Sequence, residues 1–168
     1  MKYDLTGNGS EASRRRHPSD GPASASAAPA APSPRLVRGQ RATATLWRRL
    51  EAEFGLLTSA EVAEQLGVTP TDPDWVSAQR KAHKIIGVRR GAAYRYPGFQ
   101  FDRGHQAIVP VIEPLFGLAS ANAWTSEDLT LWMVSPTTEF TQEDRPVDHL
   151  QEPEAVMAVA KLAMEADW

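Results

Sequence analysis

Two neighbouring stretches decide the fold: residues 56–68, LLTSAEVAEQLGV, and residues 85–97, IIGVRRGAAYRYP. In the first, Thr58 and Glu61 have the spacing of a capping box. In that motif a hydroxyl accepts from the amide three residues on, and the glutamate side chain returns the hydrogen bond. Gly67 is the residue type that most often ends a helix. The first stretch therefore predicts a short helix between Thr58 and Gly67.

A second helix is predicted soon after this one. Asp72 is a favourable N-cap, and Pro73 suits the first helical position, where no amide partner is needed. The helix is expected to run over residues 73–84. A short helix, a turn and a second helix in this order are typical of a helix-turn-helix. The polar side chains expected on its outer face are Ser77, Arg80, Lys81 and Lys84.

The second quoted stretch predicts a two-stranded β-hairpin that would form a wing beside these helices. Residues 85–90 and 93–96 alternate in character on either side of Gly91, and both contain β-branched or aromatic side chains. The pair Pro97-Gly98 is expected to close the hairpin. From Arg80 to Arg95 the chain has six basic residues and no acidic one.

This basic run predicts an interface for DNA. Lysine and arginine neutralise phosphates, and side chains of a helix in the major groove read base edges. A helical domain with a solvated basic face is the alternative that the sequence leaves open. The expected DNA contacts are Ser77, Arg80, Lys81, Lys84, Arg89, Arg90 and Arg95, with Arg80 and Lys81 as the candidates for base contacts.

Three segments are expected along the chain, and the predicted fold class is mainly α. Residues 1–41 are rich in Ala, Ser, Pro and Gly and bury too little apolar surface to offset the entropy of ordering, so we predict a disordered tail. Residues 42–102 are predicted to form the helix-turn-helix with its two-stranded wing. Residues 103–168 are predicted to form a small all-helical domain, with its first helix bent or broken by Pro110 and Pro114.

Charge divides the 168-residue chain more sharply than its net value of −3 suggests. Residues 41–104 carry ten basic and seven acidic side chains, whereas residues 105–168 carry two basic and eleven acidic ones. The middle of the chain therefore suits a polyanion, and its end suits a protein partner. A chance distribution of solvated charges is the alternative.

Composition disfavours several classes of protein. The chain has no cysteine, which removes disulfides and thiolate metal sites and fits a reducing compartment. No apolar run approaches the roughly 18 residues needed to cross a bilayer, so we expect a cytoplasmic location and no membrane association. The four histidines show no metal-ligand spacing. We therefore expect neither catalysis nor a cofactor.

Part of the sequence, covering roughly residues 56–168, resembles known families. Residues 56–68 with residues 87–97 resemble the excisionase-like winged helix-turn-helix. Residues 131–136, LWMVSP, and residues 145–150, RPVDHL, ahead of a final helix, look like the toxin-binding domain of Xre–MbcA–ParS type antitoxins.

The resemblance implies the antitoxin of a type II toxin-antitoxin system. Such a protein would bind and block a RES-domain toxin that consumes NAD, and would repress its own operon by binding operator DNA. In that family the C-terminal end of the antitoxin approaches the active site of the toxin, and the matching end here is residues 164–168. The toxin-binding residues implied in this way are Trp132, Pro136, Met164, Asp167 and Trp168.

We also expect a homodimer, because a small winged element makes few contacts and two copies on a palindrome would bind more tightly. Two other functions remain open at this point. One is a stand-alone transcription or excision factor whose last third serves dimerisation. The other is an interaction protein whose helix-turn-helix no longer binds DNA.

Overall fold

The computed structural model describes residues 34–69, 72, 74–141 and 144–165. These residues are mainly helical, with six α-helices and two small antiparallel sheets. None of their helices is long and apolar enough to span a membrane. In chain order the α-helices and strands are α1 (Pro34–Phe54), β1 (Leu56–Leu57), α2 (Ser59–Gln65), α3 (Trp75–Lys81), β2 (Val88–Arg90), β3 (Ala93–Pro97), β4 (Phe101–Asp102), β5 (Ala107–Ile108), α4 (Ile112–Ala121), α5 (Ser126–Met133) and α6 (Pro153–Met164).

Helix α1 begins at Pro34, within the segment that the sequence predicts to be a disordered tail; residues 1–33 lie outside the described part. Proline suits the first turn of a helix, where its missing N–H leaves no hydrogen bond unmade. The second half of α1 is held by the buried side chains of Trp47 and Leu50. Each residue added to an existing helix contributes a hydrogen bond at small entropic cost, so the helix extends beyond its packed part.

Helix α2 confirms the predicted capping box. Oγ1 of Thr58 accepts from the amide of Glu61 at 3.3 Å, and the Thr58 amide donates to Oε2 of Glu61 at 2.7 Å. The helix ends before Gly67, whose φ of +63° lies in the left-handed region. Val62 faces inward and is fully buried, which holds this seven-residue helix in place.

Helix α3 is shorter than the predicted span of residues 73–84. Its N-cap is Asp74, whose side chain makes no capping hydrogen bond, and not Asp72 as predicted; Pro73 lies outside the described residues. Oδ1 of Asp72 instead accepts from the Asp74 amide at 2.8 Å, so this side chain closes a turn before the helix. After Lys81 the chain leaves the helix, and His83 adopts a φ of 59°. A local turn closed by the Asp72 side chain thus precedes the helix.

The predicted hairpin is present as β2 and β3, but a third strand was not anticipated. In the three-stranded sheet β3 is central, with β2 on one side and the two-residue β1 on the other. Gly98 follows β3 at a point where the backbone passes close to the end of α1. A Cβ at this position would overlap the carbonyl group of Phe54. Glycine therefore permits the approach of α1 to the sheet.

The hairpin lies between two groups of buried side chains. Val88 of β2 belongs to the larger group, which contains residues of α1, α4, α5 and α6. Tyr96 of β3 belongs to the smaller group, together with Val62 and Val76 of the helices α2 and α3. Because the larger group joins residues from 42–102 with residues from 103–168, these two predicted segments share one hydrophobic core within the described residues.

The last third is largely helical, but the prediction of an all-helical segment is wrong at its start, where Ala107–Ile108 form β5 and pair with β4. Ile108 is β-branched, which suits a strand. Pro114 does not bend a longer helix but lies in the first turn of α4, where the backbone amides have no intrahelical partner. Thr125 caps α5 through a second capping box with Asp128. The 3₁₀ turn Gly98–Gln100 lies between β3 and β4, and the 3₁₀ turn Pro146–His149 lies between α5 and α6.

Candidate nucleic-acid interface

Tyr94 is the centre of the basic surface formed by α3 and the hairpin. The guanidinium carbon of Arg80, on α3, lies 3.8 Å from the centroid of the Tyr94 ring. That of Arg89, on β2, lies 5.9 Å from the same centroid. A cation held against an aromatic face keeps its charge while its side chain loses freedom. Two elements that are separate in sequence therefore present two cations around one exposed ring.

The strand register explains why Arg89 shares this face and why two other arginines do not. Arg89 pairs with Tyr94, and cross-strand partners lie on the same face of a sheet. Arg90 and Arg95 occupy alternate positions, so they lie on the opposite face. The guanidinium carbon of Arg90 lies 4.6 Å from the ring centroid of Trp47, on α1.

The aliphatic stem of Arg80 fits against a glycine. A Cβ at Gly87 would lie 2.5 Å from Cδ of Arg80 and 3.0 Å from the Tyr96 ring, so any larger residue would displace the arginine. Nη2 of Arg80 donates to Oγ of Ser77 at 3.4 Å, which brings a third predicted DNA contact to this cluster. Nε of Arg80 is buried and has no hydrogen-bond partner among the described residues. The arginine is thus held mainly by ring stacking and packing.

The remaining predicted DNA contacts are peripheral. Lys81, the last residue of α3, and Lys84, three residues after it, are exposed. Nη1 of Arg95 donates to the carbonyl oxygen of Tyr94 at 3.2 Å. None of the six basic residues among the predicted DNA contacts forms an ion pair with a carboxylate of the described residues. Their positive charge therefore remains available to an external anion.

One acidic residue borders this surface and could not be foreseen from the sequence. Oε1 of Glu127, in α5, accepts from the backbone amide of Arg89 at 3.0 Å. This bond joins the middle of β2 to the first turn of α5. Gly87, Trp47 and Glu127 all shape the basic surface, yet none carries a local sequence signal that would have shown this. Tyr94 could be found in advance, because it is an aromatic residue within the basic run.

Of the five predicted toxin-binding residues, the three that the structure describes do not form one site. Trp132 is half-buried and lines a shallow cleft with Trp124, whereas Pro136 is exposed after the end of α5. Met164 is 6% exposed and belongs to the hydrophobic core, so its side chain is not presented to a partner. Asp167 and Trp168 lie outside the described residues.

The segment 145–150, on which part of the antitoxin resemblance depends, has a structural role. The Arg145 guanidinium binds Asp148 within its own 3₁₀ turn and Glu53 at the end of α1. The hydrogen bonds from Arg145 lower the pKa of the Asp148 carboxyl below its usual range. They also lower the pKa of the Glu53 carboxyl. The turn is thereby attached to α1.

His149 is the most highly connected histidine of the described residues. Its Nδ1 lies 2.9 Å from Oε1 of Glu152, and its Nε2 lies 3.2 Å from Oδ2 of Asp144. Its ring stacks on Phe140 at a centroid distance of 4.1 Å. The hydrogen bond with Glu152 and then that with Asp144 raise the pKa of the imidazole. No group of three potential metal ligands occurs among the described residues.

The fold and the site together define a mainly helical domain that carries a small antiparallel sheet and a cationic hairpin. In fold, the chain is similar to the solved NMR structure of Rv2175c, with a TM-score of 0.52 and 22% sequence identity. The superposition covers 67% of this chain and 82% of that chain. No protein-family model matches the sequence, and no curated protein matches it either.

Proposed function

We propose that this protein binds double-stranded DNA through a winged helix-turn-helix made of α2, α3 and the β2–β3 hairpin. The observation that carries the proposal is the convergence of Arg80 and Arg89 on Tyr94, where α3 meets the hairpin. In this arrangement α3 enters the major groove, and the hairpin contacts the adjoining backbone. An ordinary solvated basic face does not require cations from two elements to be ordered around one ring.

The exposed end of α3 supplies the base contacts in this proposal. Lys81 is exposed and unpaired among the described residues, and Arg80 is ordered beside it. An arginine or lysine can donate to the O6 and N7 atoms of guanine. Helix α3 has only seven residues, roughly 10 Å in length, so one copy reads few base pairs. A homodimer on a palindromic site would double these contacts and is part of the proposal.

The test is a binding measurement on DNA selected by the protein from a random duplex library. Fluorescence anisotropy with the selected duplex should show a roughly 5- to 150-fold weaker affinity for Arg80→Ala and for Lys81→Ala, the loss of one base contact each. Lys161→Ala removes an exposed cation from α6 and should leave the affinity unchanged. Equal affinities for all three variants would rule out α3 as the recognition helix.

In the cell, such DNA binding fits two functions. They differ in what residues 103–168 bind: a toxin in the first, and a second copy of this chain in the second. The first is an antitoxin that blocks a RES-domain toxin and represses its own operon. The second is a stand-alone transcription or excision factor. The cleft lined by Trp124 and Trp132 favours the first, because a half-buried tryptophan in a surface cleft is a frequent anchor at protein interfaces.

Co-expression separates these two functions. If the antitoxin function holds, the wild-type chain rescues growth of cells that make the RES-domain toxin, and Trp132→Ala rescues less well. Leu162→Ala is the control, because Leu162 is 62% exposed on α6 and lies outside the cleft. Failure of the wild-type chain to bind or neutralise the toxin would favour the stand-alone factor.

A further inference from the structure

The N-terminal part of α1 is a row of cations without compensating acids. Residues 34–50 contain five arginines and no acidic side chain. Arg38, Arg41, Thr45 and Arg48 follow one another at three- and four-residue spacing, so they lie along one face of the helix. Arg38, Arg41 and Arg48 are exposed. This face, formed by these three arginines with Thr45 between them, is the α1 ridge.

The α1 ridge is unfavourable for the isolated helix. Like charges three or four residues apart destabilise a helix, and cations near its N-terminus oppose the helix dipole. The first turn of α1 contains Arg35 and no acidic residue. None of these arginines forms an ion pair with a described carboxylate. A helix that carries such unfavourable charges is expected where a ligand supplies the compensating negative charge.

The α1 ridge adjoins the hairpin. Arg90, which pointed away from the Tyr94 cluster, stacks on Trp47 of α1. Arg90 and Arg48 line the same groove of about 950 Å³, in which Glu51 is the one acidic lining residue. The arginine that the strand register separates from Arg89 therefore packs against α1 and lies beside Arg48, the last arginine of the ridge. The cations on this face of the hairpin thus adjoin the C-terminal end of the ridge.

From this continuity we infer that the α1 ridge is a second, sequence-independent contact surface for the DNA backbone; this rests on the proposed DNA binding. Ten residues separate Arg38 from Arg48, roughly 15 Å along the helix. That length matches about four phosphates of one strand, which follow one another at about 3.4 Å along the duplex axis. The ridge itself offers Thr45 and charges but no large apolar side chain. It is therefore poorly suited to insertion into a lipid surface.

A salt titration tests this inference. Each phosphate contact contributes roughly 0.9 to the slope of log affinity against log salt concentration. The triple variant Arg38→Gln/Arg41→Gln/Arg48→Gln should lower that slope by roughly 2–3, and should weaken binding to selected and unrelated duplexes by the same factor. The control Arg103→Gln/Lys161→Gln removes two exposed cations elsewhere and should leave the slope unchanged. The thermal midpoint of the triple variant should not fall, because repulsion within α1 is relieved.

Three outcomes separate the two proposals. If the wild-type chain binds DNA and the triple variant keeps its salt slope, the ridge inference is wrong while the helix-turn-helix proposal stands. If the triple variant loses affinity for DNA but Arg80→Ala and Lys81→Ala do not, the ridge inference holds and the assignment of α3 as the recognition helix is wrong. If the wild-type chain binds no duplex, or its ridge binds phosphatidylserine vesicles and not DNA, the ridge inference fails as well.

Discussion

Arg145 and Glu53, 92 residues apart in the chain, form a bidentate ion pair in which Nη1 and Nη2 donate to the two carboxylate oxygens at 2.7 and 2.8 Å. The same guanidinium donates to both carboxylate oxygens of Asp148, at 2.9 and 2.7 Å. Planar pairing of this kind fixes orientation as well as charge. The end of α1 is thereby joined to the 3₁₀ turn that precedes α6.

Replacement of Arg145 should therefore destabilise the protein without affecting DNA binding directly. Arg145→Ala leaves two carboxylates without their partner, and we expect a loss of about 1–2 kcal/mol in the free energy of unfolding, reduced by the partial exposure of Glu53. Urea denaturation measures this loss, with Arg103→Ala as an exposed control. A double-mutant cycle with Glu53→Gln should show coupling; additive effects would contradict the pairing.

The His149 cluster predicts that stability declines as the pH rises from mildly acidic values. Hydrogen bonds to Glu152 and Asp144 raise the folded-state pKa of the imidazole above its ordinary value of 6.5. The folded state therefore holds its proton more tightly than the unfolded state. This stabilisation is fully present below the unfolded-state pKa and is lost as the pH rises through the folded-state pKa.

A comparison of His149→Gln with the wild-type chain checks the sign of this effect. Urea midpoints measured between pH 5 and pH 8 should fall with rising pH in the wild-type chain, and the variant should lose that part of the slope. His105→Gln is the control, because the His105 side chain is 83% exposed in the turn that follows β4. A wild-type slope of the opposite sign, abolished in His149→Gln, would show that the imidazole is neutral in the folded protein.

Gln100 is predicted to be the most sensitive polar position in the core. Its side chain is fully buried, with Oε1 accepting from the Ile86 amide at 2.6 Å and Nε2 donating to the carbonyl oxygens of Ile86 and Pro97 at 2.8 and 3.0 Å. Gln100→Leu would leave these backbone groups without partners, at a cost of about 2–4 kcal/mol in the free energy of unfolding. Gln151→Leu, at an exposed position, should cost little. Chemical denaturation of both variants measures the difference.

Gly87 is predicted to control the position of Arg80. Gly87→Ala would place a methyl group against the arginine stem and the Tyr96 ring, so we expect Arg80 to leave Tyr94 and the affinity for DNA to fall roughly 10-fold, as for loss of one contact. Gly117→Ala is the matched control. No atom lies within 4 Å of the added carbon there, and alanine favours the helix, so stability should rise by about 0.5–1 kcal/mol. Unchanged DNA binding by Gly87→Ala would contradict the role given to Arg80.

Much of the local structure could be predicted because its causes are local. The capping box of Thr58 and Glu61 acts over three residues, and the turn at Gly91 lies between two short strands. Both features can be recognised from the sequence alone. Two predictions made in the same way, the N-cap at Asp72 and the break at Pro114, differ from the structure. In each case an equally local alternative, a side-chain turn or a first-turn proline, was available.

The sequence by itself determined that the chain would be mainly helical, with a basic centre and an acidic end, since composition and periodicity need no partner in space. Only the tertiary structure decided which of the basic residues lie together. The strand register places Arg89 and Arg90 on opposite faces of the hairpin. The Arg80 side chain of α3 then lies against Tyr94, and Arg90 stacks on Trp47 of α1. Such groupings depend on contacts between distant segments, which leave no pattern along the chain.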